Sequence, residues 1–464
     1  MAPAAGVRAG CVNIAGMPPA DRAARPAPPR PRPWRWVPTL YFAEALPYVV
    51  VMSIAVVMYK NLGVSNTEIA LYTSWLYLPW VIKPLWSPLV DLLGAKRRWV
   101  LGMQFLVGAL LAMVALALPA PGFLQLTLAV LWLMAFASAT HDIAADGFYM
   151  LALPQRTQAA FVGVRSTFYR LAMIAGQGAL VWLAGTLAEQ RGFVLAWQGV
   201  MGLLGGLFAA AAAWHAWALP RPAADVAAPR SGRGVAGFLA DFGAVFAAFF
   251  RKPEIVRLLT FLLLYRFAEA QLLKLVTPFM LDPLDKGGLA LRTQDVGIAY
   301  GTVGIAALTI GGLLGGWLIS RFGLKTMLWP LVLAMHLPNT VYVLLALWQP
   351  GMLAWVAGAI ALEQFGYGLG FTAFMVYMLM VAGGHDGRPG TDGAGGQSPH
   401  KTAHYALCTG FMALGMMLPG MGAGWLQEKL GYLSFFVWCC IATVPSFLAA
   451  AWLRIDPEYG RKAE

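Results

Sequence analysis

Apolar runs of about 20 residues recur along the whole chain, separated by short polar joints. Twelve can be drawn, at about 37–58, 68–92, 99–118, 122–150, 158–186, 194–218, 254–281, 294–320, 324–347, 351–382, 401–427 and 431–454. That length lets an α-helix, rising about 1.5 Å per residue, cross a hydrocarbon core of roughly 30 Å. None of the runs alternates apolar and polar residues as membrane-barrel strands do, and lipid offers no partner to an open strand edge. The pattern therefore predicts an all-α integral membrane protein of twelve transmembrane helices.

The polar joints set the orientation. The net charge of +12 would suit nucleic-acid binding if the cations lay on one soluble face. Instead they collect in alternate joints: Arg8 to Arg35 before the first run, Lys96, Arg97 and Arg98 after the second, Arg156 after the fourth, Arg221 to Lys252 after the sixth, then Arg321 and Lys325, Arg388 and Lys401, and Arg454 to Lys462. The other joints hold only Lys60, Arg191, Lys286, Arg292 and Lys429. An excess of Lys and Arg marks the cytoplasmic loops, so both termini are expected in the cytoplasm and no nucleic-acid partner is expected. Residues 1–36 read as a disordered basic tail, 37–218 as a six-helix bundle, 219–253 as a cytoplasmic linker, 254–454 as a second six-helix bundle and 455–464 as a cytoplasmic tail. The four cysteines show no metal-ligand spacing, and they are expected to be reduced and without a role.

The halves echo each other. "FAEA" occurs at 42–45 in the first run and again at 267–270 in the seventh, placing Glu44 and Glu269 at matching positions. "DLLG" followed by basic residues closes the second run at 91–94, and "SRFG" with Lys325 closes the eighth. Internal repeats of this kind belong to secondary transporters, where solute and coupling-ion sites lie between the repeats. The twelve-run pattern with a central linker resembles the major facilitator superfamily. Within it, "HDIAADGFYMLALP" (141–154) followed by "RSTFYRLAMIAGQG" (165–178) is similar to the AmpG muropeptide permeases, in a group that also holds acetyl-coenzyme A transporters. The resemblance implies two pseudo-symmetric bundles and a cytoplasmic latch at Asp91, Gly94, Arg97 and Arg98. The basic residue that the superfamily places after the latch acid is Leu92 here, and Ser320 stands where the second acid would be.

Ten ionisable groups fall well inside the runs: Glu44, Lys83, Asp142, Asp146, Arg165, Arg170, Arg266, Glu269, Lys274 and Glu363. At about 2.5–3.5 kcal/mol for each charge at a helix centre, ten without partners would cost on the order of 25 kcal/mol, above a typical net stability of ~5–15 kcal/mol. They must pair, titrate or line a wet cavity. The turn at 154–158 places Asp146 level with Arg165, and Asp142 level with Tyr169 and Arg170, if the fourth and fifth helices form an antiparallel hairpin. Asp142 and Asp146, four apart, share a face. Such a ladder either switches during function or is a static brace. Glu44 has no cation near it in sequence and is the better proton carrier, unless Lys83 reaches it; Glu269, with Arg266 three residues earlier, is expected to be held ionised. Glu44, Asp142, Asp146 and Glu269 are the candidates for proton coupling. His141 and Asp146 lie about 140° apart around a helix, too far to act as a catalytic pair, so His141 reads as a packing residue.

For the solute, Arg165, Arg170, Arg266, Lys274 and Lys83 favour a carboxylate or phosphate, because guanidinium forks match such groups. Tyr149 and Tyr169 offer ring faces for a sugar, and Glu363 with Gln364 offers polar groups in the second half. No Gly-Lys-Ser/Thr phosphate loop is present, so ATP drive is not expected. The sequence reading is therefore a non-enzymatic inner-membrane permease, expected to be monomeric and to need no cofactor or metal. It would move protons with a small solute by alternating access, and the resemblance to the AmpG permeases implies an amino-sugar or muropeptide-like one. Siderophore, sugar or acyl-coenzyme A permeases of the same fold are the alternatives, and a membrane-bound acyltransferase is the alternative from another class.

Overall fold

The computed structural model describes residues 32–93, 95–223, 225, 234–382, 401–457 and 459–460. Each stretch read as a span is helical. The first is Pro33–Asn61. The second runs as Asn66–Trp75 and then Leu78–Leu93. The third and fourth are Lys96–Ala117 and Phe123–Ala152, and the fifth and sixth occupy 155–218. A linker helix, Gly234–Phe250, leads to the seventh, Ile255–Leu264 continued by Phe267–Leu281. The eighth, ninth and tenth are Thr293–Phe322, Leu324–Trp348 and Leu353–Ala382, and the eleventh and twelfth fill 401–451. On length and composition alone eight helices qualify to cross a membrane; two of these are long stretches that double back, and the interrupted second and seventh escape that criterion.

The doubling back occurs at glycines. Gly192 turns the fifth helix into the sixth with φ 75° and ψ 163°, and Gly431 turns the eleventh into the twelfth with φ 75° and ψ 166°. A left-handed φ is open to glycine without steric cost, so the same residue makes the same turn at the matching place in each half. The second helix starts on a capping box, in which Ser65 Oγ accepts from the Glu68 N–H at 3.2 Å and the Glu68 carboxylate accepts from the Ser65 N–H at 3.4 Å. The interruptions are satisfied by neighbours: Ser446 Oγ donates to the Leu264 carbonyl at 3.0 Å, and Tyr265 donates to the Gly370 carbonyl at 3.0 Å.

Each half has its own apolar core. Val49, Ile54, Leu111, Leu131 and Trp197 sit at the centre of the first, while Phe261, Leu331 and Phe374, and then Phe279, Ile360 and Phe436, fill the second. The halves meet along two lines of glycine. A Cβ on Gly301 of the eighth helix would lie 2.0 Å from the Gln177 carbonyl oxygen of the fifth; one on Gly424 of the eleventh would lie 2.0 Å from the Asn66 carbonyl oxygen of the second. The fifth helix widens into a π-turn at Ala175–Leu180 and the eighth at Gly297–Gly304, so the crossing at Gly301 falls where both backbones are irregular. Backbone cannot yield as a flexible side chain does, and overpacking costs about 1–3 kcal/mol. Gly301→Ala is expected to lower the population of this closed crossing roughly tenfold. Cysteines placed at 189 and 294 in a cysteine-free background would report it as lost cross-linking with helicity unchanged.

Segments following each bundle clamp the joint between helices two and three of that bundle. Asp225 accepts from the backbone N–H groups of Lys96 (2.7 Å) and Arg97 (3.0 Å), and the Tyr459 carbonyl accepts from the Leu324 N–H at 3.0 Å. A carboxylate at a helix N-terminus satisfies donors that have no partner inside the helix. Arg97 donates to the Ala216 carbonyl at the end of the sixth helix, and Arg98 is exposed. The Asp91 side chain and Gly94, the other members of the expected latch, lie outside the described residues, as do Cys11 and the loop 383–400.

Candidate functional site

In the first half, the first, second, fourth and fifth helices bring three carboxylates together: oxygens of Glu44, Asp142 and Asp146 lie within 4.8 Å of one another. Two cations serve them. Lys83 pairs with Asp142, and Arg165 pairs with Asp146. Tyr41 donates to the same Asp146 oxygen at 2.9 Å, and the Arg165 guanidinium lies over the rings of Tyr41 (4.2 Å) and Tyr149 (4.5 Å). Glu44 is left over. It is buried at 6% exposure, and its Oε2 has no hydrogen-bond partner, whereas the side chains of the four paired residues stay between 26% and 42% accessible. With all three acids ionised the cluster would carry one uncompensated negative charge.

The second half is arranged differently. Arg266 donates to the Tyr367 hydroxyl, with its guanidinium 5.0 Å from the Phe371 ring centre. Glu269 is fully buried and neither of its oxygens finds a partner. Glu363, also fully buried, accepts from Tyr342 and from Gln364, each at 2.9 Å and both on Oε2. Lys274 is buried and donates to Thr73 Oγ1 of the second helix at 2.9 Å, with Nζ 5.2 Å from the Tyr77 ring centre. Among the described residues none of these four ionisable groups makes an ion pair.

Between the halves, on the face carrying the few-cation joints, a polar network joins first-half to second-half residues. Lys60 pairs with Asp282 at 2.6 Å and donates to Asn66 Oδ1 at 2.7 Å. Asn66 donates to Gln427 (2.7 Å), to the Tyr432 hydroxyl (2.9 Å) and to Asp282 (3.2 Å), while Tyr432 donates to Asp282 at 2.5 Å. Thr67 meets Glu428 through both its N–H and its hydroxyl, Asn61 donates to Thr293 at 2.9 Å, and Gln294 donates to Glu189. This face is closed.

Several expectations need correction. Asp142 is paired by Lys83, not Arg170, because the fifth helix packs mainly on the first and meets the fourth only sparsely, which leaves the fourth helix open to the second. Arg170 makes no ion pair among the described residues; its polar contact is with Met173 Sδ at 4.0 Å. Lys83 does not pair with Glu44. Glu269 is not held by Arg266: Arg266 sits outside helical geometry at φ −108° between the two parts of the seventh helix, so the expected same-face neighbour turns toward Tyr367 instead. Tyr169 is half-buried beside the first-half core. His141 lies in a buried chain in which Gln104 donates to it at 3.0 Å, His215 donates to Gln104 at 2.9 Å, and Thr39 meets His215 at 2.9 Å. Cys408, Cys439 and Cys440 are free. Sequence reasoning missed Tyr41, Thr73 and the whole network around Asp282. An Asn, an Asp and a Lys in short polar joints carry no local signal of a partner in the other half.

Comparison with known proteins fits this geometry. The Major Facilitator Superfamily model matches residues 39–388. The anhydromuropeptide permease of Escherichia coli K12 is 26% identical over 82% of this chain and 72% of its own length. An uncharacterized protein of Haemophilus influenzae is 25% identical over 89% and 92%. Among solved structures, a POT family transporter in complex with 5-aminolevulinic acid aligns with a TM-score of 0.65 at 12% identity, covering 91% of this chain and 96% of that one. A bacterial homologue of the human lysosomal transporter Spinster, inward-facing and occupied, aligns at 0.62 with 16% identity over 90% and 95%. At these identities the structures speak to fold alone.

Proposed function

The chain belongs to the Major Facilitator Superfamily and is a multi-pass membrane transporter, not an enzyme; on that premise we propose that it is a proton-coupled symporter of an anhydromuropeptide-like solute in the bacterial inner membrane. The observation that carries the coupling is the count in the first-half cluster, three carboxylates against two cations, with Glu44 unpaired. A proton on Glu44 balances the cluster, and its departure leaves a net charge that the paired residues must redistribute. Lys83, Asp142, Asp146 and Arg165 are partly accessible, and the cost of charge in hydrocarbon assigns the space beside them to water. Protons then have a route to Glu44 past the ladder.

The substrate class rests on the relative's name and on chemistry. Arg266, Lys274, Tyr367 and Gln364 give the second half two cations, a ring face and an amide at the seam between bundles, suited to a carboxylated sugar. The closed network around Asp282 and the basic loops of the opposite face support an orientation in which the outer face is shut and solute leaves toward the cytoplasm. Uptake of a labelled anhydromuropeptide into membrane vesicles, with and without an imposed pH gradient, tests this. Accumulation is expected only with the interior alkaline; accumulation indifferent to the gradient removes the coupling, and no uptake at all removes the substrate class.

A further inference from the structure

Lys274 is a buried lysine that, among the described residues, has one hydrogen-bond partner, a hydroxyl from the opposite bundle, Thr73 Oγ1 at 2.9 Å. It lies where the second, seventh and eleventh helices meet. A Cβ on Gly420 of the eleventh would stand 2.8 Å from Ser74 Oγ and 3.4 Å from Lys274 Cγ, so no room remains there in this closed arrangement. Ser74 Oγ, fully buried beside it, has no hydrogen-bond partner among the described residues. Lys60 and Asp282 of the closed face are engaged with each other. Closing this seam therefore removes a cation from water and supplies no counter-charge, which is unfavourable. When the seam parts, Thr73 leaves with its bundle and the ammonium is left without that bond, on the side of the network around Asp282.

We propose that Lys274 is the charge selector of the transporter: its uncompensated ammonium holds the seam open, and a carboxylate on the incoming solute, by supplying the missing charge, permits closure. Anionic solutes then drive the conformational change that neutral analogues of the same shape do not. The proposal deepens the substrate reading above and rests on it for the identity of the solute, but the charge effect on closure is a property of the chain itself.

The test compares Lys274→Gln with Thr73→Val. Cysteines at 67 and 428, where Thr67 and Glu428 now touch, report closure by cross-linking in reconstituted, cysteine-depleted protein. If Lys274 acts by charge, Lys274→Gln should raise the cross-linked fraction without solute, by roughly tenfold in the closed-to-open ratio, while Thr73→Val, which keeps the charge and loses the bond, should lower it. If Lys274 is only a brace, both variants lower closure and the proposal is overturned. A second arm adds an anhydromuropeptide with free or amidated carboxylates. Wild type should close on the free acid alone, and Lys274→Gln should no longer distinguish the two; equal closure of wild type by both forms also overturns the proposal. Should neither form bind wild-type protein, the muropeptide reading falls, and the comparison of the two variants still decides whether the charge controls the seam.

Discussion

Glu44→Gln is expected to abolish accumulation driven by a pH gradient while leaving solute exchange across the membrane intact. The substitution keeps the shape of the side chain and removes only its capacity to gain and lose a proton. One pH unit across the membrane supplies about 1.4 kcal/mol per proton, enough to sustain roughly tenfold accumulation of a co-transported solute. That factor is what the variant should lose. Exchange persists because the remaining acids and bases stand as two complete pairs, and the amide leaves the cluster in the neutral balance that a protonated Glu44 provides. The buried, half-satisfied position of Glu44 makes it the member of the trio whose charge is least supported. Counterflow in de-energised vesicles, measured beside gradient-driven uptake on the same preparation, separates the two activities. Loss of both together would make Glu44 a structural partner and not a carrier.

Asp142→Asn should produce the largest loss of stability. It leaves Lys83 charged in the membrane interior with no carboxylate bonded to it, and breaking one side of a buried pair costs about 3–5 kcal/mol. Because Lys83 and Asp142 retain 28% and 26% side-chain exposure, the lower end, about 3 kcal/mol, is expected. Removing both charges in Asp142→Asn with Lys83→Met should restore most of that stability, since replacing a whole pair by apolar groups is often neutral. The double variant should nonetheless fail to transport if the ladder rearranges during the cycle. Thermal unfolding in detergent gives the stability order, and uptake by the double variant separates a switching ladder from a brace. Unchanged stability of the single variant would mean that the water beside the ladder suffices for Lys83 without its carboxylate.

The parts of this account that were legible in the sequence are those set by local spacing. Runs of apolar residues gave the helices, and the short turn at 154–158 placed Asp146 opposite Arg165, which do pair. Spacing alone misplaced the other rung, because the partner of Asp142 depends on how the second helix packs, a contact that spans 59 residues. It also misread Arg266, whose i−3 relation to Glu269 holds only in a continuous helix; the break at Tyr265 and Arg266 aims that side chain at the tenth helix. The repeated "FAEA" did mark two buried glutamates at matching places, yet their surroundings differ: Glu44 joins a charged ladder, and Glu269 stands without a hydrogen bond. The closed face was invisible for the same reason as Lys83. Asp282, Asn66 and Tyr432 are ordinary loop-end residues until the two bundles approach.

Proton movement measured with the solute tests the central claim most directly. In de-energised vesicles weakly buffered outside, adding the anhydromuropeptide should make the external medium alkaline in a fixed ratio to solute taken up. Glu44→Gln should exchange solute with no such change. Solute entry into wild-type vesicles without any proton movement, or an undiminished proton signal from Glu44→Gln, would contradict the account.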